Sequence, residues 1–443
     1  MQEALPRLQQ NVTSEVVMAY YEENRQAIIS YFQQGSRGDA LSQNLGVEVE
    51  HFVVHAENNK PVPYRGTSEE GFFGVADLLQ YLSALYPEKT YGLEGDLIGL
   101  ASSEASITLE PAAQIEISIA PYESIETILS VYEAFREQVD PFLARHGCKL
   151  VAKGYHPSAK ALDLPLIPKK RYQFMNDYFQ LIGTHGERMM RASASTQVSV
   201  DFKDEADAIR KMRLAQALAP ILSLITDNSS VFEGAPTTKP LERFNLWRDV
   251  DNDRCGSVPG LFDEGYSFAQ YTDWLLGTSP IFVTRPATND IQGSKLRWVG
   301  KTSAAEAYAD APMSESDIEH VLSMFWPDVR LKRFVEIRPA DSLPAAQVAG
   351  YAALIKGIFY SDEAMVFLEE KLGVKNNHWP FNDETANRTL EAIRSQGVQA
   401  VFAGYAISKW VGMLFETAKS HLSKKDQAFL EQLSDWFYAR QVK

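Results

Sequence analysis

Residues 46–54 read GVEVEHFVV, and their alternation decides how the rest of the chain is read. In a strand, residues two apart share a face. Val47, Val49, His51 and Val53 therefore fall on one side, and Glu48, Glu50 and Phe52 on the other. The parity recurs in three more stretches. In 114–120, Ile115, Ile117 and Ile119 oppose Gln114, Glu116 and Ser118. In 197–202, Val198, Val200 and Phe202 oppose Gln197, Ser199 and Asp201. In 334–338, Val335 and Ile337 oppose Phe334, Glu336 and Arg338. Each stretch offers an aliphatic side to a core and a side of carboxylates and amides.

A half-solvated antiparallel sheet also has a polar face, but such faces usually mix Lys, Thr and Arg among the acids. Glu48, Glu50 and Glu116 have no Lys or Arg on their own strand face. Carboxylates about 7 Å apart along a strand repel unless one is protonated or cations sit among them. Hard divalent ions with oxygen ligands answer that need, and Mg²⁺ keeps substrate phosphates as further ligands. Glu110, just upstream in Leu109–Glu110–Pro111, extends the same rim.

Outward from these strands, amphipathic spacing predicts helices over Glu15–Gln34, Ser68–Leu85, Ile125–His146, Tyr172–Ile182 and Glu205–Thr226. Strands are expected at Lys149–Tyr155 and, as a pair or one bent strand, at Ser106–Ala120. Segments 228–265 and 276–312 are rich in turn formers and carry little periodicity, as functional loops do. A helix over Ser316–Phe325 is expected to start at a Ser316/Glu319 capping box. After Leu343 the pattern is helical: Ala345–Lys371, Asn382–Arg394, Val398–Ala418 and Lys425–Arg440. The expected class is α+β, a single domain over 1–443 with a mixed body at about 40–342 and a helical layer at about 343–443.

Of the 443 residues, 58 are Asp or Glu against 43 Lys or Arg, a net charge of −15. That balance argues against nucleic acid as a partner, which calls for a basic stripe. The most apolar stretch, Leu214–Ile225, is far short of a membrane span. Cys148 and Cys255 alone build no disulfide framework or thiolate metal cage. With no signal-peptide pattern near Met1, a cytoplasmic protein is expected. There is no GxxxxGK[ST] phosphate loop, no GxGxxG after a strand, no HExxH and no GxSxG.

Two arginine-rich stretches remain. Residues 242–256, ERFNLWRDVDNDRCG, hold Arg243, Trp247 and Arg254. Planar guanidinium groups grip carboxylate or phosphate in a bidentate way, with Trp247 as a wall. Residues 326–341, WPDVRLKRFVEIRPAD, place Arg330, Lys332 and Arg338 around Glu336. Cations beside metal-ligating carboxylates suit a nucleoside triphosphate, whose transferring phosphoryl group needs positive charge.

GVEVEHF, TLEPAAQIEIS, IPKKRY, STQVSVDF, LWRDVDNDRCG and WPDVRLKRFVEIRPAD occur in the order and at about the spacing found in the glutamate–cysteine ligases of plants and bacteria. The resemblance runs from about Leu45 to Asp341. It implies a glutamine synthetase-like fold: a curved antiparallel sheet forming a funnel, helices outside and the active site within. It implies ATP-dependent joining of the γ-carboxylate of L-glutamate to the amino group of L-cysteine, through γ-glutamyl phosphate, as the first step of glutathione-type thiol synthesis. Two or three Mg²⁺ ions would assist, in a monomer or homodimer. By position, Glu48, Glu50, Glu110, Glu116, Gln197 and Glu336 resemble the metal ligands. Glu336 and Arg338 take catalytic positions, and Arg338, with Lys332 and Arg330, the ATP phosphates. Arg243, Trp247, Arg254 and Arg171 match substrate-side positions. The chain departs from the family pattern at Ala112 and Ala113, where two glycines are usual, and at Arg248 and Val250. A ligase using a different amine, and a non-catalytic nucleotide-binding relative, are the alternatives.

Overall fold

Four strand segments with one aliphatic face each can hide those faces only by pairing into one sheet, and they do. The structure, a computed structural model, describes residues 14–66, 73–92, 95–284 and 296–441. Its central feature is a nine-stranded sheet. The strands are β1 (Leu45–His55), β2 (Glu88–Tyr91), β3 (Leu97–Ala101), β4 (Ala105–Leu109), β5 (Ile115–Tyr122), β6 (Cys148–Val151), β7 (Thr196–Val200), β8 (Val329–Leu331) and β9 (Val335–Ile337). The spatial order is β8-β9-β7-β1-β5-β4-β3-β2, with β6 pairing the far end of β1, and the sheet stays open. Every pairing in it is antiparallel.

The expected parity holds. Along β1, Leu45 to Glu50 alternate between buried and half-buried, and β5 repeats the pattern from Ile115 to Ala120. Val47, Val49, Ile115, Ile117, Val198, Val200, Val335 and Ile337 are all 0% exposed. Helices Ile125–Arg145 and Ala345–Phe359 cover this aliphatic face, and helix Glu205–Ile225 lies against β8 and β9. His51 sits on the core side, where burial pushes its imidazole down to about 3. Tyr132 meets its Nε2 at 2.5 Å. The polar face is left open on the other side.

The helical layer follows the sequence with two corrections. Ala345–Lys371, expected as one helix, is two: Ala345–Phe359 and Asp362–Leu372. Ser361 caps the second, its Oγ accepting from the Ala364 N–H at 3.1 Å, as N-cap serines do. Tyr360 turns back to the sheet, accepting from the Asp201 N–H and donating to the Asn44 carbonyl. Val398–Ala418 does not begin as a helix. Val401–Phe402 and Tyr405–Ala406 form a hairpin whose turn residues Ala403 and Gly404 both have positive φ, and the helix starts at Ile407. The capping box near 316 lies two residues earlier, Ser314 with Asp317. The Ser68 start of the second expected helix lies outside the described residues; its described part is Val75–Leu82.

Helix Ala345–Phe359 is buried nearly all round because it lies between the sheet and helices Ile407–Ser420 and Lys424–Gln441. Its small residues permit this. A Cβ on Gly350 would stand 2.6 Å from Leu433 Cβ and 2.8 Å from the Phe429 carbonyl, and one on Gly357 would stand 2.5 Å from the Ala418 carbonyl. Gly350→Ala is therefore expected to push the last helix outward and to destabilise the fold by about 1–3 kcal/mol. Urea unfolding of the variant beside the wild-type chain measures this.

Candidate active site

The register of the sheet decides what the polar face can do. Glu50 stands directly across from Glu116, and Glu48 stands between Ser118 on β5 and Gln197 on β7. Like charges directly opposite in an antiparallel pair destabilise it. Together with Glu110 from the turn between β4 and β5, these side chains line a pocket of about 260 Å³. None of the four glutamates has an ion-pair partner among the described residues. Glu50 accepts from the Ser195 N–H and hydroxyl, each at 2.8 Å, and from Gln197 Nε2 at 3.3 Å. Glu116 accepts from the hydroxyls of Thr108 at 2.9 Å and Ser118 at 3.1 Å.

Burial raises all four carboxyls, and repulsion from neighbouring glutamates adds to it at Glu48, Glu110 and Glu116. Glu110 is pushed up to about 7 by burial and the nearby Glu50 charge. Glu116 is raised well above the usual range by burial and by Glu48, Glu110 and Glu50. Glu48 and Glu50 rise too, chiefly through burial.

The opposite wall is cationic. Glu336 lies across from Arg330 in the β8–β9 hairpin and is 0% exposed. Arg330 grips it in fork geometry at 2.6 and 3.1 Å, Lys332 adds a contact at 3.2 Å and Arg338 one at 3.0 Å. Burial alone would raise the Glu336 carboxyl; the charges of Arg330, Lys332 and Arg338 override it and hold it well below the usual range. The three cations line the pocket, while Glu336 sits behind them. Arg338 also donates to Gln197 Oε1, which ties the two walls together.

On the substrate side, Arg243, Trp247 and Arg171 reach the pocket. Arg243 belongs to the helical turn Glu242–Leu246, and its Nη1 is steered by the carbonyls of Arg338, Pro339 and Ala340 at 3.5, 3.4 and 3.2 Å. Its Nε is buried without a partner, and so is Trp247 Nε1. Arg171 is held by the Ser323 hydroxyl at 3.0 Å and carbonyl at 2.9 Å. Arg254, expected at the substrate, is not in the pocket. It is 0% exposed and spends its donors on Asp251, the carbonyls of Ser279 and Met324, and Tyr178 Oη. It braces the loop that carries Trp247. Arg248 likewise pairs with Asp328, and Arg191 bonds the Leu164 carbonyl and Asn176.

Reading by residue type passed over Ser195, although it shares strand parity with Gln197; extending the polar face two residues back finds it. Tyr172 was also passed over: its hydroxyl donates to the Leu109 carbonyl at 2.8 Å, fixing the turn that presents Glu110. In that turn Ala113 has φ of 65°, a left-handed conformation glycine adopts freely. This is where the family pattern carries glycine.

The donor set fits a hard cation. Among the described residues no three His, Cys, Asp or Glu side chains are already gathered into a cage for one ion. Yet oxygen-only donors, buried and short of positive charge, are what Mg²⁺ or Ca²⁺ requires.

An open antiparallel sheet of this kind is a fold that the chain shares with a solved ligase. The structure of a glutamate–cysteine ligase from Francisella tularensis in complex with AMP superposes with a TM-score of 0.53 at 11% identity, covering 89% of this chain and 82% of that one. The family itself is set by the sequence: the model of glutamate–cysteine ligase family 2 matches residues 44–396, and the chain belongs to that family. It is 32% identical over 355 residues to the chloroplastic glutamate–cysteine ligase of Arabidopsis thaliana, covering 80% of this chain and 66% of that one. Against the chloroplastic enzyme of Nicotiana tabacum it is 29% identical over 428 residues, covering 96% and 79%.

Glu116→Gln removes one charge from the facing pair and keeps both hydroxyl contacts. It is expected to stabilise the metal-free protein by about 0.5–1 kcal/mol while lowering turnover at least about a hundredfold; thermal melting and an ADP-release assay read the two effects. Because Glu110 binds its proton more tightly folded than unfolded, stability without divalent ions is full below its ordinary value of 4.5 and is lost as pH rises toward about 7. The other three raised carboxyls act in the same direction. Melting of chelator-treated protein across that range should show a falling midpoint, and a flat profile would contradict it.

Proposed function

We propose that this chain joins the γ-carboxylate of L-glutamate to the amino group of L-cysteine, driven by ATP. The carboxylate attacks the γ-phosphorus of ATP and releases ADP. The cysteine amine then attacks the acyl carbon of γ-glutamyl phosphate and displaces phosphate, which carries off the amine's proton, giving γ-glutamylcysteine. The observation that carries this reading is charge segregation in one pocket. Four glutamates without cations face three cations that crowd a single glutamate.

Glu48, Glu50, Glu110, Glu116 and Gln197 are the residues that would hold Mg²⁺; Glu336, expected among the ligands, is instead taken up by Arg330, Lys332 and Arg338. Bound there, the metal would neutralise the triphosphate and the acceptor carboxylate. Arg330, Lys332 and Arg338 are oriented by Glu336 and face the phosphates, where fixed cations favour the charge that develops during transfer. Arg243 Nε and Trp247 Nε1 are buried donors without acceptors. Leaving such groups unpaired is costly, and the carboxylate of glutamate supplies the acceptor oxygens.

The acceptor side favours cysteine. Met175, Met189 and Met190, all under 8% exposed, line the pocket with Pro111 and Trp326. Soft thioethers suit a polarizable thiol better than a charged amine side chain. Catalysis on this reading is positioning and charge neutralisation, with no protein nucleophile. The buried, unpaired Cys148 and Cys255 fit a reducing compartment, and the cytoplasm is the one we propose.

Incubation with ATP, glutamate and cysteine should yield one product with the mass of γ-glutamylcysteine and matching ADP. Silence with cysteine and ADP release with another amine would overturn the acceptor. Arg243→Lys loses a planar donor fork and should raise the KM for glutamate about tenfold with little change in the KM for ATP; an unchanged glutamate KM removes Arg243 from that role.

A further inference from the structure

Behind the active site, where helix Lys424–Gln441 meets the end of helix Glu205–Ile225, lies a second cavity of about 340 Å³. Lys153, Asp227, Asn228, Ser229, Ser230 and Arg440 give it polar walls, and Leu224, Pro240 and Val398 an apolar side. The reaction described above uses none of them.

Its two cations are built in rather than splayed on the surface. The Arg440 guanidinium lies 3.3 Å from the centroid of the Trp436 ring. Its Nη2 donates to the Ile225 carbonyl at 3.2 Å and its Nη1 to the Asp227 carbonyl. Its Nε is buried with no acceptor. Lys153 Nζ donates to Asn228 Oδ1 at 2.9 Å. Burial and the charge of Arg440 press the Lys153 ammonium toward losing its proton, and the charges of Asp341 and Asp227 oppose them only in part. Neither cation forms an ion pair among the described residues. The nearby acids are turned to other uses. Asp341 accepts from the Asn228 N–H and the Ser229 hydroxyl at 2.8 and 2.7 Å, and Asp227 accepts from the Ser229 and Leu241 N–H groups at 3.3 and 3.1 Å.

We propose that this cavity is a second ligand site, separate from the catalytic pocket, for a small carboxylic acid with a short apolar tail. A single negative charge satisfies the free Arg440 donor and relieves the repulsion between Lys153 and Arg440. A dianion would meet Asp227 and Asp341 as well. The apolar side at Leu224, Pro240 and Val398 takes the tail.

The test is calorimetric titration of the full chain with butanoate, with 1-butanol and inorganic phosphate as controls and glutamate held saturating. Butanoate is expected to bind at one site with a dissociation constant of about 1 mM, in keeping with a ligand of this size. Butanol and phosphate should bind at least about tenfold more weakly. Arg440→Gln and Lys153→Gln should each weaken butanoate about tenfold or more. If melting shows that Arg440→Gln does not fold, Lys153→Gln decides. No binding to the wild-type chain, equal binding to both variants, phosphate binding as tight as butanoate, or loss of butanoate to glutamate competition would each overturn the proposal. None of these results depends on which amine the catalytic pocket uses.

Discussion

Glu50 and Glu116 face each other across an antiparallel ladder, and that juxtaposition governs the rest of the molecule. A sheet can hold it only if the aliphatic side returns more than the acidic side loses. Burial of Val, Ile and Leu side chains is worth roughly 1.5–3 kcal/mol each, and apart from His51 the far face of β1 over 45–53 and of β5 over 115–119 carries such residues throughout. The helices that close over that face, Ile125–Arg145 and Ala345–Phe359, are thus part of the active site in an energetic sense. The strain on the polar side is local electrostatic repulsion, which a bound cation would relieve.

The two walls manage charge differently. Glu336 is over-supplied with cations and Glu48, Glu50, Glu110 and Glu116 are under-supplied. Averaging the two would give an unremarkable salt-bridged surface. The register prevents it, because β7 stands between β9 and β1 and offers only Gln197 and Ser199 to its neighbours. A neutral strand keeps the positive and negative groups apart, with the Arg338–Gln197 hydrogen bond as the bridge.

Much of this was legible in the sequence because strand parity is a strict period. Glu48, Glu50, Glu116 and Gln197 could each be assigned to the polar side of its own strand from spacing alone, and Glu110 to the same rim from its place just upstream in Leu109–Glu110–Pro111. What was not legible depended on contacts between distant segments. Arg254 looked like Arg243, since both are arginines in one charged loop. Only the fold shows that Arg254 meets Asp251, Tyr178 and the carbonyls of Ser279 and Met324, whereas Arg243 keeps a free edge. The break at Tyr360–Ser361 was hidden for a similar reason. Both flanking segments are good helix formers, and the chain turns because Tyr360 is drawn to Asn44 and Asp201.

Cys148 and Cys255 are both buried and unpaired, and burial raises both thiols above their ordinary range. A thiolate is the species that exchanges with disulfides, so neither sulfur is poised to trade partners with a thiol-bearing small molecule. An enzyme that handles free cysteine is exposed to mixed disulfides whenever its own surroundings turn oxidising. With both of its sulfurs buried, this chain offers no ready thiolate for such an exchange.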